Sequence, residues 1–280
     1  MKPAFLSLLA CTSLAVSASA AEKKGLGYQD SPLIPGTQWH VHDGERPQPP
    51  LVTPGAASTD EKAGTAPSDA TVLFDGKDLA KWKMEKDGGE AVWKVENGYV
   101  EVLPKSGYIM TKDEFGPDFQ VHLEFATPPP VGDGQGRGNS GLFLFGRSEV
   151  QVLDSYENPT YPDGQATGIY GYMPPQVNVS RPPGVWQMYD IIFEGPRFAD
   201  GKLAKPAVVT VLHNGVLTQN HTALIGETPH RKVGEYKAHP EKGAIKLQDH
   251  GNAMRFRNIW IRELRMPTAG DVGDGPQVGK

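Results

Sequence analysis

The sequence predicts an all-β protein built as one large sandwich or jelly roll, and three features carry that expectation. From residue 71 onward, apolar runs of four to eight residues alternate with Gly, Pro, Asn and Asp punctuation. Two Asn-Gly pairs, at 97–98 and 214–215, stand between such runs. That dipeptide suits the tight hairpin turn whose two central residues both need positive φ. Convincing helical periodicity is absent, and 33 Gly with 25 Pro among 280 residues favour turns.

The elements follow in order. "AVWKVENGYVEVLP" reads as a hairpin about Asn97-Gly98. "FQVHLEFAT", "SGLFLFGRSEVQVLD" and "QMYDIIFEG" read as strands, and "PAVVTVLHNGVLTQN" as a second hairpin. "GAIKLQDHG" and "MRFRNIWIREL" complete roughly ten strands over residues 71–266, enough for one sandwich.

The flanks differ. Residues 1–20 read as a signal peptide, with Lys2 as the positive region, "AFLSLLACTSLAV" as the apolar one and Ala18–Ala20 as a small-residue cleavage site. The expected location is therefore exported, periplasmic or secreted. Cys11, the single cysteine, falls in this segment, so the mature chain is expected to lack disulfides and thiol chemistry. "LLAC" also faintly resembles a lipoprotein box with Cys11 as the lipidated residue. No later segment reaches the ~20 apolar residues that a spanning helix needs. Residues 21–70 are rich in Pro, Gly and Ser and read as an extended segment or linker, and residues 267–280 as a loose tail. His40 and His42 alternate within the first of these, either as a partial metal pair or as part of a surface-packing segment. A net charge of −5 without a basic run argues against nucleic-acid binding.

Strand alternation sorts the polar residues by face. In "GRSEVQVLD", Arg147, Glu149 and Gln151 share one face while Val150 and Val152 take the other. In "VHLEF", His122 and Glu124 oppose Val121, Leu123 and Phe125. In "AIKLQDHG", Lys246, Gln248 and His250 oppose Ile245, Leu247 and Asp249; Arg255 and Arg257 oppose Phe256. If these strands are neighbours, Glu124, Glu149, Gln151, Gln248, His250 and an arginine line one surface. Taken singly, each also fits an ordinary cross-strand pair on a solvated face. The glycosylation patterns at Asn178 and Asn220 are short enough to arise by chance, and "GDGQGRGNSG" lacks the ending of a phosphate-binding loop.

Two resemblances bear on function. "EVQVLD" resembles in outline the Glu-x-Asp-x-x-Glu strand of laminarinase-like retaining glycosidases. Here Gln151 replaces the middle Asp and Asp154 the final Glu, which alters the ~5 Å carboxylate separation that retention requires. A fuller match runs through "LFDGKDLAKWK", "GNSGLFLF…SEVQVLDS", "TGIYGYMPP", "LHNG" and "IKLQDHGNAMRFRNIWIREL", in order, over residues 71–266. On these motifs the chain resembles the 3-keto-disaccharide hydrolase domain family, also called 3-keto-glucoside 1,2-lyase / 3-keto-2-hydroxy-glucal hydratase. The resemblance implies a concanavalin A-like jelly roll and a periplasmic or surface sugar enzyme. It further implies glucoside or disaccharide substrates already oxidised at C3 by a partner sugar 3-dehydrogenase.

A C3 ketone acidifies the C2 hydrogen, so a carboxylate or imidazole beside C2 can remove it, a contribution of ~10²–10⁴-fold. The enolate expels the C1 substituent, and adding water to the resulting glucal completes a net hydrolysis. Charge on the C3 oxygen calls for an arginine, an amide or a divalent metal. On this reading Glu149 and His250 form the proton-transfer pair. Gln151, Gln248 and Arg257 orient the sugar or steady the enolate, and Asn139, Tyr170 and Glu124 contact the ligand. Asp154 is either a third site carboxylate, turned inward by a bulge, or a structural turn acceptor. The alternative function is a non-catalytic carbohydrate-binding module on the same fold.

Overall fold

The structure is a computed structural model and describes residues 26–265. The proposed signal peptide with Cys11 and the tail at 267–280 lie outside the described residues. The chain divides into two units at Pro50. In the first, residues 26–49 form turns tied by isolated bridges, and the His40 imidazole hydrogen-bonds the Ser31 carbonyl. Among the described residues, no three His, Cys, Asp or Glu side chains come together in a way that would hold a metal ion.

Residues 50–266 hold the strands. These are β1 (Thr71–Phe74), β2 (Trp82–Met84), β3 (Lys94–Glu96), β4 (Tyr99–Glu101), β5 (Ile109–Thr111), β6 (Asp118–Ala126), β7 (Asn139–Leu144) and β8 (Ser148–Leu153). After them come β9 (Gln187–Glu194), β10 (Arg197–Ala199), β11 (Lys202–Lys205), β12 (Val208–His213), β13 (Val216–Ala223), β14 (Lys246–Leu247) and β15 (Arg255–Glu263). Both Asn-Gly pairs sit in hairpin turns with positive φ at each residue, 49° and 79° at Asn97-Gly98 and 51° and 79° at Asn214-Gly215. The strands outnumber the ten expected because β1, β2, β5, β10 and β11 have three or four residues each, too few to show a clear alternation.

The strands form an antiparallel jelly-roll sandwich. One sheet runs β13-β12-β9-β6-β15-β4-β3, with β1 also pairing β15; the other runs β2-β5-β14-β7-β8. Alternation decides what lies between them. Val121, Leu123 and Phe125 of β6 and Tyr189, Ile191 and Phe193 of β9 face Leu142, Leu144, Val150, Val152 and Leu247 of the second sheet, all at 2 % exposure or less. Each such side chain withdrawn from water contributes roughly 1.5–3 kcal/mol before the entropy of ordering is charged against it. The outer face of each sheet is therefore left free to carry polar groups.

On the outer face of the larger sheet, residues 50–70 run without regular structure and are fastened by side chains. Ser58 hydrogen-bonds Glu124, Arg257 donates to the Asp60 carbonyl at 3.4 Å, and Arg262 meets Asp69 at 2.9 Å. Beneath them lies a polar network. Glu124 accepts from Arg257 Nε and from Asn258 Nδ2 at 2.7 Å each, and His122 Nδ1 pairs with Asp190 at 2.8 Å. His122 also stacks on Trp260. Burial opposes charge on His122, but the Asp190 and Glu124 carboxylates outweigh it and raise its pKa to about 9. Burial likewise opposes charge on Glu124, and hydrogen bonds from His122, Ser58, Asn258 and Arg257 overcome it, lowering the pKa to about 2.

Candidate active site

The outer face of the five-stranded sheet carries the other polar set. Cross-strand register aligns Lys246, Phe143 and Glu149 in one row. In the next row Gly141 lies opposite Gln151, and its carbonyl accepts from the Gln248 backbone N–H at 3.0 Å. The glycine has a specific use: a Cβ at position 141 would stand 2.2 Å from Oε1 of Glu149. Its absence lets the carboxylate lie across the strand. Above these rows opens a cleft of about 450 Å³.

Glu149 is the chemically unusual group. Its side chain is buried, with the residue 5 % exposed, and among the described residues nothing hydrogen-bonds its carboxylate. Lys246, the cation of its row, is occupied elsewhere: its Nζ is 2.9 Å from Glu85 and 4.3 Å above the Phe143 ring. Burial raises the Glu149 pKa to about 8, with the Lys246 charge opposing. A carboxyl group so tuned exchanges protons near neutral pH.

Amides surround it. Gln151 donates to Gln135 at 3.0 Å and accepts from the Val152 N–H at 3.1 Å. Asn139 donates to the Gln135 carbonyl at 2.7 Å, and Gln248 to the Tyr108 hydroxyl at 3.0 Å. Asn139 Oδ1 and Gln248 Oε1 are buried acceptors without a partner. Such acceptors carry a desolvation cost of about 1–3 kcal/mol. The Tyr108 oxygen accepts from Gln248, which leaves its own proton available to another acceptor; burial holds that phenol above its ordinary pKa.

Loops close the cleft. The Tyr170 N–H donates to the Glu149 carbonyl at 3.2 Å, and the Glu149 N–H to Thr228 Oγ1 at 2.9 Å, tying two loops to β8. A chain of contacts lines the mouth, Tyr161 OH to Tyr170 OH at 3.0 Å and Tyr170 OH to His230 Nδ1 at 2.8 Å. His250 sits exposed at the rim, on a turn fixed by Asp249, which accepts from the Gly107 and Gly251 N–H groups at 3.0 and 2.8 Å.

Glu149, Gln151, Gln248, His250, Asn139 and Tyr170 thus line one cleft. Three other expected residues do not. Glu124 and Arg257 belong to β6 and β15 of the larger sheet and lie on its outer face, across the core from Glu149. Asp154 is 1 % exposed and paired with Arg137 Nε at 2.6 Å, while its other oxygen accepts from the Tyr156 N–H at 3.2 Å, which makes it the structural acceptor of the two alternatives. Arg147 leaves the strand and pairs with Glu227 at 2.7 Å. Tyr108, Gln135, Phe143, Tyr161, Thr228 and His230 also line the cleft and were not anticipated. Phe143 alone had a readable signal, the alternation of "GLFLF"; the rest come from turns, loops or, for Gln135, the short 3-10 helix Gly134–Gly136.

A family model described as a 3-keto-alpha-glucoside-1,2-lyase-like domain matches residues 69–262. A Parabacteroides distasonis protein solved as a candidate glycosyl hydrolase is similar at 45 % identity with a TM-score of 0.75, over 83 % of this chain and 100 % of that one. A second candidate glycosyl hydrolase from the same organism, at 24 % identity and a TM-score of 0.51 over 70 % of this chain and 94 % of the other, shares the fold. No curated protein matches. With its sandwich, its amide-lined cleft and this match over most of its length, the chain belongs to the 3-keto-alpha-glucoside-1,2-lyase-like family of carbohydrate-active domains.

Proposed function

We propose that the protein is an enzyme that cleaves 3-keto-glucosides by elimination across C1–C2 followed by hydration. One observation carries the reading: a buried carboxylate, with no hydrogen-bond partner among the described residues, lines a cleft of amides and aromatic rings. The Glu149 carboxylate takes the C2 proton, and the electron pair passes into the C2–C3 bond and onto the C3 oxygen. Tyr108, whose proton is uncommitted, donates to that oxygen, so the charge meets a fixed donor. The pair returns as the C1–O bond breaks, and the leaving oxygen takes a proton from His250 at the rim. Water then adds at C1 with His250 as base, and protonated Glu149 returns a proton to C2. The amide side chains of Asn139, Gln151 and Gln248 that line the cleft hydrogen-bond sugar hydroxyls.

On this reading a separate sugar 3-dehydrogenase supplies the substrate, and residues 1–20 direct export. Replacing the C2 hydrogen of a 3-keto-glucoside by deuterium tests the step itself. Slower single-turnover cleavage is expected; an identical rate, with bond breaking shown to limit that turnover, would contradict proton abstraction.

A further inference from the structure

The cleft does not end at its tyrosines. Tyr161, Tyr170 and His230 also front an adjoining hollow of about 480 Å³, so these three side chains serve both spaces. The two spaces differ in chemistry. Gln135, Asn139, Gln151 and Gln248 bring four amides to the inner cleft, the planar donors and acceptors that hexose hydroxyls require. The hollow has no amide side chain in its lining.

What it has instead is aromatic, apolar and basic. The Tyr170 and His230 rings stack at 6.3 Å and 20°, and Tyr161 meets Tyr170 edge-on at 6.3 Å. The Tyr161 ring lies close over Gly164, where a Cβ would stand 2.1 Å from Cε2. Val233 is 84 % exposed beside these rings. Arg231 and Lys232 complete the lining, the former on a tight bend at φ 57°. Neither is hydrogen-bonded or ion-paired to a carboxylate among the described residues, and the lining holds one acid, Asp163.

We propose that this hollow is the leaving-group subsite and that it selects aryl aglycones bearing an anionic group, of the hydroxybenzoate class. The inference rests on the reading of the inner cleft as the sugar site. A flat ring gains from the tyrosine and imidazole faces, and its carboxylate meets the two free cations. The chemistry balances without a co-reactant: the C1–O pair leaves on the phenolic oxygen, which takes up the proton of the cleft acid. A second sugar ring would find no amide to replace its hydration.

The test compares two 3-keto-glucosides, of 4-hydroxybenzoate and of 4-hydroxybenzamide, on the full chain at low and high salt. The amide withdraws more electron density and is the better leaving group, so a preference for the carboxylate reads binding. The wild type is expected to favour the carboxylate about fivefold in kcat/KM, the gain of exposed ion pairs, with the ratio falling at high salt. In the Arg231→Ala/Lys232→Ala variant the ratio should fall to one or below. Cleavage of both with no preference, or with the amide favoured, would overturn the subsite and leave the elimination intact. If neither is cleaved, 4-hydroxybenzoate itself is titrated calorimetrically. Binding that the double variant loses would support the subsite while the cleavage reading fails, and absence of binding would overturn it.

Discussion

Glu149 stands in a setting that makes its charge costly. It is enclosed by Phe143, Tyr170 and amides, and its row's lysine is held by Glu85. Burial raises its pKa from 4.5 to about 8, so the folded state binds the proton more tightly than the unfolded chain. The sign follows: its contribution to stability is complete below pH 4.5 and is lost as the pH rises through about 8, on the order of a few kcal/mol. Glu149→Gln should therefore unfold at higher denaturant than the wild type at pH 8 and above, and the difference should shrink toward pH 5. The same variant should lower turnover by ~10²–10⁴-fold. Wild-type kcat/KM should climb with pH through about 8 as the base ionises; a profile flat across that range would contradict the assignment. Tyr108→Phe removes the proposed donor to the C3 oxygen and should lower kcat ~10²–10³-fold. Single-turnover rates on folded variants check both.

At the scale of elements, β7 and β8 place the proposed base, Glu149, through a missing side chain. The three atoms nearest a Cβ at position 141 all belong to the Glu149 side chain, Oε1 at 2.2 Å, Cδ at 2.7 Å and Cγ at 2.9 Å. Gly141→Ala is therefore expected to cost at least tenfold in kcat while the melting temperature changes little, and equal losses of both would show that the glycine serves packing. Asp154 belongs to a different arrangement, a buried pair with Arg137 that anchors the end of β8. Asp154→Ala leaves that guanidinium unpaired and should destabilise by about 3–5 kcal/mol, with activity per folded molecule retained. The period of two in "SEVQVLD" and "IKLQDHG" made Glu149, Gln151, Gln248 and His250 legible, because a strand fixes which side chains share a face. Tyr108, Tyr161 and His230 were not legible, since they reach the cleft from turns and loops where no period exists.

For the whole molecule, face alternation leaves open which sheet a strand joins. His122-Leu123-Glu124 and Glu149-Val150-Gln151 alternate alike, yet β6 and β8 lie in opposite layers. The Glu124 and Arg257 pair consequently secures residues 50–70 to the back of the sandwich. Glu124→Ala strands a buried guanidinium and should destabilise by about 3–5 kcal/mol, read as a shift in the denaturant midpoint. The sandwich itself was legible from the apolar runs and the two Asn-Gly turns, whereas sheet membership depends on pairings between distant segments that no local pattern encodes. The most direct test of the central claim offers the purified protein a 3-keto-glucoside and its unoxidised parent side by side. The account predicts release of the aglycone from the keto form alone, with that release slowed ~10²–10⁴-fold in Glu149→Gln. Comparable cleavage of the unoxidised glucoside, or binding of both without turnover, would contradict it.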